Sequence, residues 1–269
     1  MAANAVFAPP RVVDDLDQCD FYHTMDLPRY GTVQGQWDLR SGVREYLGGV
    51  DFRAKRVLDV GTASGCLAFW MENAGATVVG YDLSDAFDWD IVPFGGVDVR
   101  AEQASRKRHI ARLNNSFWLA HRALGSSARV AYGSVYAIPD ALGAFDIAVF
   151  GSILLHLRDP FRALEQALAL TRETAIVTDV LPRRALLLPL FARWFGACTF
   201  FLPDGRVKAP SDSWWLLTPA LIVRMLGVLG FGSCQVTFHK QPYGGRSRRL
   251  YTVVGRRTAG FGQTQREPR

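Results

Sequence analysis

From Arg56 onward, short apolar runs alternate with longer stretches whose apolar residues recur at helical spacing. The runs predict strands over 56–60, 77–82, 129–132, 145–150, 174–180, 233–239 and 250–255. Helices are expected to begin at Gly65, near Gln103, at Pro160 and at Pro219. Asp159-Pro160 and Thr218-Pro219 each set an oxygen-bearing cap before a proline, whose missing N–H is no loss at the first helical position. Gly230 is expected to close the last helix, because glycine tolerates the left-handed exit. Strands separated by helices imply an α/β, mainly parallel sheet with helices on both faces.

Three segments fall outside that rhythm. Residues 1–48 precede the first strand and read as a cap segment, and residues 83–102 form a loop rich in Asp, Gly and aromatics. Residues 181–216 are a long apolar insertion, read as a lid on the main domain of residues 49–257. Residues 258–269 read as a loose tail. Within the insertion, "ALLLPLFARWFGACTFFLP" is apolar enough to raise the question of a membrane span. Arg193 at its centre and Pro189 argue against one.

The chemistry starts at "RVLDVGTASGCLAFW", Arg56 to Trp70, followed by "VVGYDLS", Val78 to Ser84. A strand that enters a helix through small residues leaves backbone N–H groups pointing at whatever sits above the turn. The crevice at the carboxyl ends of the strands then receives a polar ligand. The order here is Asp59-x-Gly61-x-Ala63-x-Gly65, with Thr62 inside the turn, which is not the G-x-G-x-x-G of dinucleotide sites. An acid two residues before the first glycine suits a positively charged ligand end. S-adenosyl-L-methionine carries a sulfonium and an ammonium, and Asp82 at the end of the second strand is placed to accept both ribose hydroxyls.

These residues resemble the first motif of class I SAM-dependent methyltransferases, with Ala63 where the middle glycine is usual. "GSVYAIPDALGAFDIAVFGSILLHLRDP" continues the likeness. The resemblance is closer to one branch, the tRNA uridine-oxyacetate (carboxymethyl)transferases, through "QWD", "GSILLHLRDP" and "SWWLLTPALIVRMLGVLGF". It implies a seven-stranded sheet with its last strand antiparallel, and a cofactor site that also takes in Trp37, Leu83 and Gly151. It further implies that Ser134 and Val135 flank the adenine, with Ser134 where an aspartate often stands. Two departures bear on the reaction. The branch's lysine before Trp-Asp, implied to read the extra carboxylate of carboxy-SAM, is Gln36, and the tyrosine before the motif histidine is Leu155. A carboxylate buried without those partners is costly, so plain methyl transfer is the better reading.

His156 closes the apolar run "AVFGSILLH" where the fourth strand should end, and is either a general base or a histidine bonded into the following turn. Tyr22 and His23 in "FYHT" are the other proton-carrying candidates. Trp214 and Trp215 are candidate walls of a substrate pocket, with Arg193 available for a polar end of the substrate.

Composition narrows the picture only a little. The chain has 269 residues, 49% of them hydrophobic, enough for one α/β domain with a proper core. The formal charge is +6, and only four of the 31 basic residues are lysine. That excess permits a nucleic-acid partner without favouring one. Cys19, Cys66, Cys198 and Cys234 form no CxxC pair, so neither a metal site nor a disulfide framework is expected. The first residues lack the basic and apolar regions of a secretion signal, so a cytoplasmic location is expected. The resulting expectation is a methyltransferase acting on a small apolar or aromatic molecule. A tRNA-modifying enzyme and a non-catalytic nucleotide-binding Rossmann-like protein stand as alternatives, and the oligomeric state is left open.

Overall fold

The computed structural model describes residues 6–92, 96–181, 196–204 and 213–259. Arg193 and most of the 181–216 insertion, as well as the tail from 260, lie outside the described residues. The centre is β3 (Arg56–Val60), whose buried run RVLDV pairs in parallel with β4 (Thr77–Asp82) on one side and β6 (Phe145–Gly151) on the other. Outward from β4 lies β5 (Arg129–Tyr132), and outward from β6 lies β7 (Thr171–Val180), both parallel to their neighbours. Then come β11 (Arg246–Arg256), antiparallel to β7, and β10 (Ser233–Tyr243) at the edge. The order β5-β4-β3-β6-β7-β11-β10 is the seven-stranded mixed sheet of class I methyltransferases, with the expected antiparallel strand.

The chain winds outward from β3 through β4 to β5, then crosses back to β6. The crevice between the carboxyl ends of β3 and β6 is therefore the topological switch point, where a ligand has room to enter. Two apolar clusters cover the faces of the sheet. One joins Val57, Val78 and Val130 to Leu67 and Met71 of α2 (Cys66–Asn73) and to Phe117 and Trp118 of α3 (Val99–Leu124). The other joins Leu58, Phe150 and Val177 to Leu164 of α4 (Pro160–Ala169) and to Ile222 and Leu226 of α5 (Pro219–Val228). Each fully buried large side chain contributes about 1.5–3 kcal/mol of burial.

The helix caps follow the sequence. Asp159 accepts from the Arg162 N–H at 3.0 Å, Thr218 accepts from the Leu221 N–H at 3.4 Å, and Gly230 is left-handed at φ 87. The long helix α3 starts four residues earlier than expected. Asp98 caps it by accepting from the Arg100 and Ala101 N–H groups, at 3.0 and 3.1 Å. The last two strands also run past their expected ends, joined through Gly244 and Gly245 at φ 53 and 72. Two left-handed residues in succession give the tight turn whose twist matches the strands. Pro242 is tolerated because β10 is an edge strand.

The first 48 residues add a short hairpin, β1 (Met25–Leu27) with β2 (Gly31–Val33), and the single-turn helix α1 (Val43–Tyr46). They are tied to the far edge of the sheet: the Asp38 N–H donates to the Pro242 carbonyl at 3.1 Å, and Trp37 bridges to Tyr243. A second small hairpin, β8 (Thr199–Phe201) with β9 (Trp215–Leu217), lies within the insertion. Among the described residues no helix is long and apolar enough to cross a membrane.

Candidate active site

The turn after β3 is held from both sides. The Gly61 N–H donates to the Tyr81 carbonyl at 2.8 Å, and the Gly65 N–H donates to the Thr62 carbonyl at 2.8 Å. Gly61 has φ +77, and a Cβ there would lie 2.9 Å from Ile153 Cγ1, so the position has neither the backbone nor the space for a side chain. Ala63 is left-handed too, at φ 51, although it carries a Cβ. Its N–H donates to Asp82 Oδ2 at 2.7 Å. That bond crosses from the β3 turn to the end of β4 and fixes the strained residue.

Asp82 takes a second N–H, from Leu83 to Oδ1, also at 2.7 Å. Each carboxylate oxygen thus spends one acceptor site on the backbone and retains another, which is the acceptor set that a pair of vicinal hydroxyls requires. Asn114 of α3 steadies the same loop by donating to the Leu83 carbonyl at 3.1 Å. The surroundings of Asp82 raise its carboxyl by desolvation, and the Ala63 and Leu83 N–H groups pull it back.

Asp59 is buried, 1% exposed, and accepts from the Thr62 hydroxyl at 2.8 Å. Burial pushes its carboxyl up to about 7; the Thr62 bond opposes the shift and the Asp82 charge adds to it. A cation brought beside it would restore the ionised form. Burial also pushes the Cys66 thiol up to about 12, so it stays protonated.

Across the crevice, β6 ends in Gly151 and is followed by Ser152, left-handed at φ 54. The Ser152 and Tyr46 hydroxyls are 2.9 Å apart, and a Cβ at Gly151 would lie 2.8 Å from Leu67 Cδ1 and 3.3 Å from the Tyr46 ring. His156 ends a short turn of 3₁₀ helix, Leu154–His156, its N–H bonded to the Ile153 carbonyl at 3.0 Å, and is half-buried. The insertion hairpin rests on this turn. The Trp214 N–H donates to the Leu155 carbonyl at 2.8 Å, and the Trp215 indole donates to the Arg158 carbonyl at 3.2 Å. Phe201 stacks at 5.1 Å from Trp215 and 6.4 Å from Trp214.

The remaining candidates are spread more widely. Ser134 lies beyond β5, its Oγ accepting from the Tyr136 N–H at 3.3 Å, with Val135 packed on the second core cluster. Trp37 is buried against the Tyr243 ring at 4.6 Å and donates from its indole to the Tyr22 hydroxyl at 3.3 Å. His23 meets the Tyr22 ring edge-on at 5.0 Å. Its burial lowers the imidazole to about 4, so it is neutral at ordinary pH. Tyr46, Ser152, Asn114 and Asp179, the last buried at the end of β7, were not legible as site residues. Asp179 alone gave a signal, as an acid closing an apolar run in the way Asp82 does.

A family model described as a methyltransferase domain matches residues 34–216, more than half of the chain. The chain belongs to that methyltransferase family. The methyltransferase is SAM-dependent, and S-adenosyl-L-methionine is its cofactor. The residues fit that molecule: Asp82 offers acceptors for a ribose diol, Asp59 a carboxyl for a cation, and the Gly61 turn a close backbone approach.

Among solved structures, the methyltransferase is similar to magnesium protoporphyrin IX methyltransferase from Synechocystis PCC 6803 with bound SAH. The identity is 16%, 82% of each chain is covered, and the TM-score is 0.49. It is also similar to the 1,6-didemethyltoxoflavin-N1-methyltransferase of Burkholderia thailandensis, at 16% identity over 81% of this chain and 79% of that one, with a TM-score of 0.45. Both likenesses are loose, and the family assignment rests on the domain model. No curated protein matches the chain in sequence.

Proposed function

We propose that the chain transfers a methyl group to a small apolar or aromatic acceptor held between the cofactor and the insertion hairpin. One observation carries this reading: the aromatic hairpin is hydrogen-bonded to the residue just before His156, through the Trp214 N–H and the Leu155 carbonyl at 2.8 Å. A flat apolar molecule against Trp214, Trp215 and Phe201 would therefore sit beside an imidazole.

When bound, S-adenosyl-L-methionine supplies an electrophilic methyl whose carbon–sulfur bond breaks with the electron pair left on sulfur. In this reading Asp82 holds the ribose, Asp59 faces the charged end, and Leu83, Ser134 and Val135 border the adenine. Thr62, Ala63, Gly65, Gly151 and Trp37 complete the walls. His156 takes the proton from the acceptor's hydroxyl or amine as the new bond to carbon forms. Tyr22 and His23 are the second proton-carrying pair, reached if the acceptor lies toward the cap. Most of the rate would come from alignment of nucleophile and methyl, with proton removal adding to it.

The tRNA (carboxymethyl)transferase branch is the finer relative in this reading, and Gln36 weighs against its reaction. The amide stands where that branch has a lysine, and its Oε1 accepts from the Tyr243 hydroxyl at 3.3 Å. It brings no charge to an extra carboxylate.

The test is to incubate the protein with methyl-labelled S-adenosyl-L-methionine and either a metabolite extract or total tRNA. The label is expected in a small aromatic or apolar product. Label in the tRNA alone would favour the tRNA-modifying reading, and label in neither pool would favour a protein that only binds the nucleotide.

A further inference from the structure

Asp179 and Trp214 stand out among the buried polar side chains. Asp179 is 2% exposed at the carboxyl end of β7, and its Oδ1 accepts from the Val180 N–H at 2.7 Å. Its Oδ2 has no hydrogen-bond partner among the described residues. Trp214 is 9% exposed, and its indole Nε1 likewise has no partner among the described residues. One orphan is an acceptor and the other a donor, and a native fold seldom leaves either unpaired without a reason.

The two are connected through one peptide unit. The Leu155 N–H, with that of Val180, holds the Asp179 carboxyl down against its burial, and the Leu155 carbonyl accepts from the Trp214 N–H at 2.8 Å. Leu155 is the neighbour of His156. Asp179 also pairs across the sheet with Tyr251, whose hydroxyl is already committed to the Leu217 carbonyl at 3.0 Å. A packing role alone would be filled better by an apolar residue, as at Val177 two positions earlier on the same face.

We propose that Asp179 and Trp214 read the polar groups of the acceptor: the carboxyl group accepts from an N–H or O–H of the acceptor, and the indole donates to a carbonyl, ether or ring nitrogen of the same molecule. This deepens the proposed small-molecule reading and rests on it. The acceptor class is then narrower than an apolar molecule. It is a flat ring that carries both a hydrogen-bond donor and a hydrogen-bond acceptor, such as a lactam-type or hydroxylated heteroaromatic. Burial raises the Asp179 carboxyl to about 7, against the pull of the Val180 and Leu155 N–H groups, so a donor brought to Oδ2 would stabilise the ionised form.

The experiment uses two probes on the full chain in the presence of S-adenosylhomocysteine. 2-Pyridone presents an N–H beside a carbonyl, and N-methyl-2-pyridone has the same ring and carbonyl without the donor. Binding is followed by ligand-observed NMR. The wild type is expected to bind 2-pyridone at least about fivefold more tightly, the scale of one net hydrogen bond. Asp179→Asn turns an NH₂ toward the vacant position and should erase that preference. Trp214→Phe keeps a ring but removes the donor, and should weaken both probes by about fivefold.

Cofactor affinity, measured by calorimetry on each variant, should stay within about twofold of wild type, because neither residue touches the cofactor in this proposal. Equal binding of the two probes, binding of neither, or an Asp179→Asn protein that keeps the preference would overturn the proposal. A wild type that fails to bind S-adenosylhomocysteine would instead overturn the cofactor site on which it rests. Should Asp179→Asn not fold, the Trp214→Phe comparison decides.

Discussion

The Ala63 N–H lies 2.7 Å from Asp82 Oδ2, so the turn after β3 and the end of β4 form one hydrogen-bonded unit. With the Leu83 N–H on the other oxygen, Asp82 is a structural clasp in addition to its proposed role as a ligand acceptor. Asp82→Asn would set an NH₂ against one of the two donors. The expected cost to stability is about 1–3 kcal/mol, the scale for a buried donor left unpaired. Thermal or denaturant unfolding of the free protein checks this, and an unchanged midpoint would mean that the turn is held by other bonds.

Gly61 makes a second demand on the turn. With φ +77 and Ile153 Cγ1 only 2.9 Å from where a Cβ would lie, Gly61→Ala meets both a backbone and a contact penalty. The expected loss is about 1–3 kcal/mol of stability, together with weaker cofactor binding, because relief requires the turn to move. Calorimetry and unfolding on the same sample separate the two effects.

Asp59 predicts a proton count. Its carboxyl is raised to about 7 by burial, whereas in the unfolded chain it has the ordinary carboxylate value. The folded protein therefore holds more protons than the unfolded chain between those limits, and this residue's contribution to stability falls as pH rises toward 7. A cationic ligand end reverses the preference. Binding of S-adenosyl-L-methionine near pH 7 should release about half a proton. Titrations in buffers of different ionisation enthalpy measure the release, and Asp59→Asn should abolish it.

Six of the seven sheet strands were readable because each carries an apolar run that the sheet buries, whereas the edge strand β10 buries only Gln241 and leaves Phe238 exposed; Asp82 was readable because it ends one of the buried runs. The start of α3 was not: Asp98 caps it inside a stretch of mixed composition that carries no periodicity. The β1–β2 hairpin is too short, at three residues a strand, to leave a pattern. Tyr46 meets Ser152, 106 residues away in sequence, a pairing that only the folded topology reveals. Asp179 ended an apolar run like Asp82 but had no small-residue turn beside it to mark a ligand.

His156 is expected to affect rate more than binding. Its imidazole sits on the turn that carries the aromatic hairpin, and asparagine keeps its approximate size without taking a proton. His156→Asn should lower turnover by at least about a hundredfold with cofactor affinity nearly unchanged. Near-normal turnover in the variant would make His156 a structural turn residue and move the search for a base to His23 or Tyr22.

In the proposed cofactor site the β3 turn and the β4 acid together hold S-adenosyl-L-methionine. Its most direct test is calorimetric titration of that cofactor into the wild type and into a folded Asp82→Ala protein. One site per chain is expected in the wild type, with an affinity weaker by about 1.5–3 kcal/mol in the variant, the scale for charge-assisted hydrogen bonds. Equal affinity in the two proteins, or no binding to the wild type, would contradict it.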